Sequence, residues 1–479
     1  MEKERRQFAL DFDARPNPVR EWMRRGSFQI FLEVDAPSAA RSETATARLK
    51  DFAAAIPETS QHPVGLAVTD RLEAVDCVDA AEFASEGLPD TLKASSLAFI
   101  SGRGRTFREM EEAVAARRAL GFGNVVAVTG DGYDARTADR GSAFVDSVHT
   151  VKKISDVGGF HPGCVANPFK YLASDLYPQL FKLVKKINLG AEFVVSQAGW
   201  DMLKLRDLKW FLDSRELMVP IIARIVFLTP EKVERILSGE MPGVFISRDL
   251  RMILEGEGTH GYGQFASAQW RRLQLQVAGC RALGFSGVQI AGIESPEHIP
   301  TAISKISEGL SEFDRFETWY PAYSAHLARA DMAPVDQRFR LYRNPPKETS
   351  PSAPIPTVEG VPPPSALEKA RYKASSALLS DIDEFHPAEK KITKTLLSGC
   401  LASCSRCRLS KTHFVCPMSC AKGLSNGPCG GAKLDGKCEL SEKECAHARR
   451  VRLAAWLNEL DLVEERYIEH PDEHPRREE

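Results

Sequence analysis

Between residues 27 and about 308 the chain alternates short apolar runs with longer amphipathic stretches. The runs 28–34, 64–69, 97–101, 125–129, 163–166, 193–196, 221–227 and 288–291 are rich in Val, Ile, Leu, Ala and Phe. Several have no polar alternation, the pattern of strands buried on both faces. Segments 107–120, 179–187, 230–237 and 264–283 instead carry apolar residues at helical spacing. Eight strands joined by helical crossovers predict an α/β fold, a parallel (β/α)8 TIM barrel, with a doubly wound open sheet as the alternative.

Beyond the barrel the pattern changes. Eight prolines fall between Pro345 and Pro364, a composition that predicts an extended spacer. Helices are expected over 365–379, 391–397 and 446–467, the last carrying an apolar stripe of Val451, Ala454, Ala455, Leu457, Leu460 and Leu462. The division expected is a barrel over 1–342, a linker over 343–364 and a small cysteine-rich domain over 365–479.

Charge narrows the function classes. With 63 basic and 65 acidic residues the net charge is −2, which gives no electrostatic case for nucleic acid or an anionic membrane as main partner. No apolar run is long enough to span a bilayer. The charged start, Met1-Glu2-Lys3-Glu4-Arg5-Arg6, leads into no secretory h-region, so the cytoplasm is the expected compartment.

In such a barrel the chemistry gathers at the C-terminal strand ends. There the chain places Glu33 and Asp35, Thr69-Asp70, Thr129-Gly130-Asp131, Asn167-Pro168, and Ser196-Gln197 with Asp201 four residues on. Glu33 is the most informative, because a carboxylate inside an apolar strand is costly unless paired or used. Taken singly, Asp131 also suits a turn, and Gln197 and Thr69 suit satisfied core polar groups. The pair Lys185-Lys186 reads as a solvated helix face. Gly102 and Gly104, flanked by Arg103 and Arg105, are a weak phosphate signal, and no Gly-x-Gly-x-x-Gly follows a strand to support a Rossmann site.

The ordered series resembles the methylenetetrahydrofolate reductase family. The matching residues are Phe31-Leu32-Glu33-Val34-Asp35-Ala36-Pro37, Val68-Thr69, Gly130-Asp131, Ala166-Asn167-Pro168, Lys186, Gly190-Ala191 and Gln197-Ala198-Gly199-Trp200-Asp201. The sequence departs from the family pattern at Thr129, Gln179 and Gly292-Ile293-Glu294. The resemblance implies an FAD-dependent barrel that reduces 5,10-methylenetetrahydrofolate to 5-methyltetrahydrofolate, or runs the reverse oxidation. It implies Glu33 as the acid that protonates the folate nitrogen, with a raised pKa, and Asp131 as the group favouring a cationic iminium beside flavin and pterin. Gln197 and Asp201 would hold substrate. Thr69, Asp131, Ala166, Asn167 and Lys186 would hold FAD, with Lys186 near its phosphates. Reduced nicotinamide or a redox carrier protein would supply electrons, and the oligomeric state is left open, a homo-oligomer included. A folate- or corrinoid-linked methyltransferase and a silent scaffold or electron-transfer partner are the competing functions.

Eight of the eleven cysteines are Cys400, Cys404, Cys407, Cys416, Cys420, Cys429, Cys438 and Cys445. Eight clustered thiols, interleaved with Gly423, Gly427, Gly430, Gly431 and Gly436, suit two four-thiolate metal sites, and spacing alone does not separate zinc from a 4Fe–4S cluster. The stretch from Cys416-Pro417 to Cys429-Gly430-Gly431 is similar to the C-terminal domain appended to some bacterial members of the same family, which implies zinc or iron–sulfur binding.

Overall fold

The computed structural model describes residues 17–70, 77–131, 144–259, 261–328, 330–336, 339–348, 350, 359–382, 389–400, 404 and 406–473. Eight parallel strands close a barrel in chain order. They are β1 (Gln29–Asp35), β2 (Val64–Thr69), β3 (Leu97–Ser101), β4 (Asn124–Val128), β5 (His161–Ala166), β6 (Phe193–Ser196), β7 (Ile221–Val226) and β8 (Gly287–Ala291). The first strand pairs with the last, for example Ile30 with Val288, so no edge is exposed.

Alternation along each strand sorts the side chains. Phe31, Ala67, Leu97, Phe99, Val126, Phe193, Val195 and Ile222 form one cluster inside the barrel, joined by Val19 and Met23 of the helix Pro18–Arg24. Ile30, Leu32, Leu66, Val68, Val125 and Ala127 belong to the larger cluster beneath the surrounding helices. Glu33, two residues after Phe31, shares the inward face, and Arg224 stands in the same relation to Ile222.

The strand expectations agree with the structure to within two residues. Two helices do not. The segment 446–467 is two helices, Ala446–Leu457 and Leu460–Glu465, broken at Asn458, which takes a left-handed φ of 59° that Asn tolerates better than most residues. The helix Ala173–Asn188 begins before the expected 179, and every residue from Ala173 to Lys186 is buried. Lys185 and Lys186 therefore do not form a solvated face.

The covering layer is the cysteine-rich segment. Its two last helices pack on Ala173–Asn188, and Val451, Ala454 and Val463 join the barrel's outer core. The described ends of the spacer touch the barrel: Arg206 Nη1 donates to the Pro345 carbonyl at 3.0 Å, and Val361 packs on the core. Among the described residues no helix is long and apolar enough to cross a membrane.

Candidate active site

The strand ends surround a cavity of about 130 Å³ whose walls include Thr69, Asp70, Asp131, Asn167, Gln197, Arg224 and Gln289. Its far side is made by Gln179, Lys182 and Lys186 from the helix Ala173–Asn188, and by Pro428, Cys429 and Gly430 from the cysteine-rich segment. The barrel and the C-terminal segment thus share one cavity.

Glu33 lies in the barrel interior behind Arg224. The guanidinium is bidentate on it, Nε to Oε2 and Nη2 to Oε1, both at 2.6 Å. Gln289 Nε2 donates to Oε2 at 2.6 Å. Burial pushes the Glu33 carboxyl up, but the Arg224 charge and these hydrogen bonds outweigh it and hold the carboxyl below its ordinary range. The direction is opposite to the raised pKa expected for Glu33. Arg224 Nη1 also donates to Gln197 Oε1 at 3.0 Å, so the pair fixes the Gln197 amide at the wall. Asp35 accepts from Thr69 Oγ1 at 2.7 Å; burial and then the Glu33 charge raise its carboxyl to about 6.

Asp131 is an acid on the cavity wall whose carboxyl is pushed above its ordinary range. Burial raises its pKa, and the Glu439 carboxylate of the C-terminal segment raises it further. The preceding Gly130 has φ 88°, and a Cβ there would lie 2.4 Å from Ser101 Oγ, so the turn that presents Asp131 needs glycine. Lys422 Nζ reaches from the C-terminal segment to the Gly130 carbonyl at 2.7 Å and is paired with Glu439.

Other expected residues fall in different places. Thr69, Asn167, Gln197 and Lys186 line the cavity. Ala166 is buried beside it, its carbonyl accepting from Gln197 N at 2.7 Å. Asp201 does not line this cavity. It caps the helix Met202–Ser214, accepts from Arg340 Nη1 at 2.6 Å and Tyr171 OH at 3.2 Å, and lines a separate aromatic cavity on the barrel flank. Arg105 is committed to Asp70 at 2.5 Å and Asp79 at 2.6 Å, not held open for phosphate. Arg224, Gln289 and Lys182 are cavity residues absent from the motif-based set. Arg224 interrupts Ile221-Ile222-Ala223-Arg224-Ile225-Val226 just as Glu33 interrupts its own strand, and that signal marks it.

Gln289 lines the cavity, and its Oε1 is buried without a hydrogen-bond partner among the described residues, which leaves an acceptor unused. The cysteines fall into two neighbourhoods. Cys416 and Cys404 are each raised by burial first and then by nearby thiols, Cys400 in both cases and Cys407 for the second. Cys420 is likewise coupled to Cys438, and Cys445 to Cys420 and Cys429. Among the described residues, however, no three His, Cys, Asp or Glu side chains stand together as a metal-holding group.

Comparison with known families decides the rest. The family described as "Methylenetetrahydrofolate reductase" matches residues 19–248, and the one described as "Methylene-tetrahydrofolate reductase C terminal" matches residues 381–474. The chain belongs to the methylenetetrahydrofolate reductase family. Reduction of methylenetetrahydrofolate in one-carbon metabolism is the activity that membership supports, carried by the barrel, and neither match favours a methyltransferase or a silent scaffold. No curated protein matches the chain. Among solved structures, a putative dihydrodipicolinate synthetase from Pseudomonas aeruginosa is similar at 11% identity and a TM-score of 0.28, over 58% of this chain and 99% of its own.

Proposed function

We propose that the shared cavity is where 5,10-methylenetetrahydrofolate and a flavin meet, and that Asp131 supplies the proton. The observation that carries this is the meeting, in one cavity, of Asp131, a buried acid whose pKa is raised, with the amides of Asn167, Gln197 and Gln289. Opening the folate's five-membered ring leaves an iminium carbon and a nitrogen that must be protonated. A carboxylic acid held neutral by burial does this near neutral pH. Bound FAD would supply the hydride chemistry. Thr69, Asn167 and Lys186 are the residues that would hold it, with Lys186 the cation nearest its phosphates. Gln197, fixed by Arg224, would orient the pterin. Glu33 acts through Arg224 and Gln197 as a positioning residue. Reduced nicotinamide or a redox carrier would feed the flavin.

The C-terminal cysteines are proposed as two four-thiolate sites, Cys400, Cys404, Cys407 and Cys416 in one and Cys420, Cys429, Cys438 and Cys445 in the other, holding zinc or iron–sulfur. Anaerobic purification with an absorbance spectrum, metal analysis and acid release of cofactor tests both readings. Stoichiometric FAD and either zinc or iron with sulfide are expected. Fully folded, active protein with no flavin would overturn the first reading, and protein with no metal the second.

A further inference from the structure

The cavity measures about 130 Å³, whereas sites for small organic ligands span roughly 300–1,000 Å³. The reading above asks it to accept two ligands, so a wall must give. The strand ends are held by the closed barrel. The C-terminal segment contributes Pro428, Cys429 and Gly430 to the wall, and residues 426–432 are attached to the barrel by side chains donating to their backbone carbonyls. Lys182 Nζ bonds the Pro428 carbonyl at 3.0 Å, Lys185 Nζ that of Asn426 at 3.1 Å, Lys170 Nζ that of Ala432 at 2.7 Å, and Asn167 Nδ2 that of Gly430 at 2.9 Å. The fit is close: a Cβ on Gly427, which has φ 152°, would lie 2.6 Å from the Lys182 Cβ.

Charge says what would replace these carbonyls. The cations on the cavity wall are Lys182, Lys186 and Arg224; Glu33 holds Arg224 bidentate, whereas Lys182, paired with Asp146, also donates to the carbonyls of residues 427 and 428. An entering diphosphate is drawn to the two lysines, where its full charge makes stronger hydrogen bonds than an amide carbonyl does. Lys182 is the residue on which residues 427 and 428 rest. We propose that residues 426–432 are a lid competing with the diphosphate of a dinucleotide cofactor for the Lys182 face, so that cofactor loading and the seated lid exclude one another. The proposal rests on the flavin reading and adds to it a gate built from the C-terminal segment.

If only a lifted lid admits the cofactor, apparent affinity is reduced by the fraction of molecules already open. Weakening the lid's attachment must then tighten cofactor binding. Lys185→Met removes one attachment without touching the cavity wall, and Gly427→Ala forces the lid off Lys182 by steric contact. The experiment is a titration of cofactor-free, full-length protein with FAD, followed by fluorescence, with hydrogen exchange of the amides of residues 423–432 read in parallel. FAD should raise exchange at those amides about tenfold or more, and each variant should bind FAD more tightly, by roughly 10–150-fold where one hydrogen bond to a charged group is lost. Residues that were merely structural would leave FAD affinity unchanged or weakened. FAD bound at full occupancy with those amides still protected overturns the proposal, as does FAD affinity unimproved in both variants. Oxidation of methyltetrahydrofolate by an artificial acceptor, measured on the same samples, keeps the two readings apart. Turnover without any flavin sinks the flavin reading, whereas FAD bound beneath a seated lid sinks only the gate.

Discussion

Glu33 and Arg224 meet inside the barrel as a bidentate pair with side chains 5% and 13% exposed, so removing either leaves the other charged in a site with little water. Glu33→Gln should lower the unfolding free energy by roughly 3–5 kcal/mol, the cost of breaking a buried ion pair, and Arg224→Met by a similar amount. The double variant should recover most of that loss, because neither charge is then stranded. Denaturant unfolding of the three proteins checks this, and a double variant as unstable as the singles would show that the pair contributes something other than mutual neutralisation. Asp131 calls for a different readout. Its proton is available below its raised pKa, so kcat should fall as pH rises through that value. Asp131→Asn should abolish this limb and cost on the order of 10²-fold or more in turnover. If Glu33→Gln flattened the limb instead and Asp131→Asn kept it, the acid would be Glu33. Both acids were legible in the sequence, one as a carboxylate in an apolar strand and the other at a strand end. The directions of their pKa shifts were not, because burial acts on both, Arg224, 191 residues from Glu33, pulls that carboxyl down, and Glu439 of the C-terminal segment adds to the rise at Asp131.

Asp146 ties three elements together. Its side chain caps the helix Ser147–Val157 by accepting from Val148 N at 3.1 Å, pairs with Lys182 of Ala173–Asn188 at 2.7 Å, and accepts from Asn426 N of the C-terminal segment at 3.3 Å. Burial raises its carboxyl, but the Lys182 charge prevails and holds it well below the usual carboxylate range. Asp146→Asn keeps the shape and strands the Lys182 charge at 2% exposure. It should destabilise by roughly 3–5 kcal/mol and speed amide exchange at residues 426–432, measured by mass spectrometry. Unchanged exchange there would mean that the segment is held independently of Asp146. Strand positions could be read from the sequence because strands buried on both faces leave continuous apolar runs. The helix Ala173–Asn188 could be read over 179–187, but its burial could not, because its lysines look like a solvent face until a second layer of chain lies over them.

The C-terminal segment is part of the barrel's architecture. Val451, Ala454 and Val463 belong to the core under the barrel helices, and ending the chain at Pro364 would strip that cover from Ala173–Asn188. Such a protein should unfold at a lower temperature than the full chain and bind hydrophobic dye; a truncated barrel of full thermal stability would instead make the two parts independent. Acid should loosen the same junction. Burial lowers His447 and His470 to about 3, and lowers His149 as well. With folded pKa values below the unfolded value of about 6.5, the unfolded chain binds more protons as pH falls. Stability present above about pH 6.5 is therefore lost progressively towards pH 3, at up to about 1.4 kcal/mol per pH unit for each histidine. The thermal midpoint should drop between pH 6.5 and pH 4.5, with exchange rising first at residues 426–432 and 446–470. A midpoint flat across that range would count against these histidines as buried neutral groups.

The sequence by itself determined the barrel, the order of its strands, the strand ends that carry polar groups and the cysteine cluster. Each follows from local pattern, since apolar runs, turn glycines and ligand spacing are written within a few tens of residues. Tertiary structure alone decided which charges meet. It gave Glu33 to Arg224, turned Asp201 into a helix cap beside Arg340, and laid the C-terminal segment across the mouth on four barrel side chains. Those outcomes depend on contacts between residues far apart in the chain, and on burial, which sets the charge state of an ionisable group and cannot be read from its neighbours in sequence.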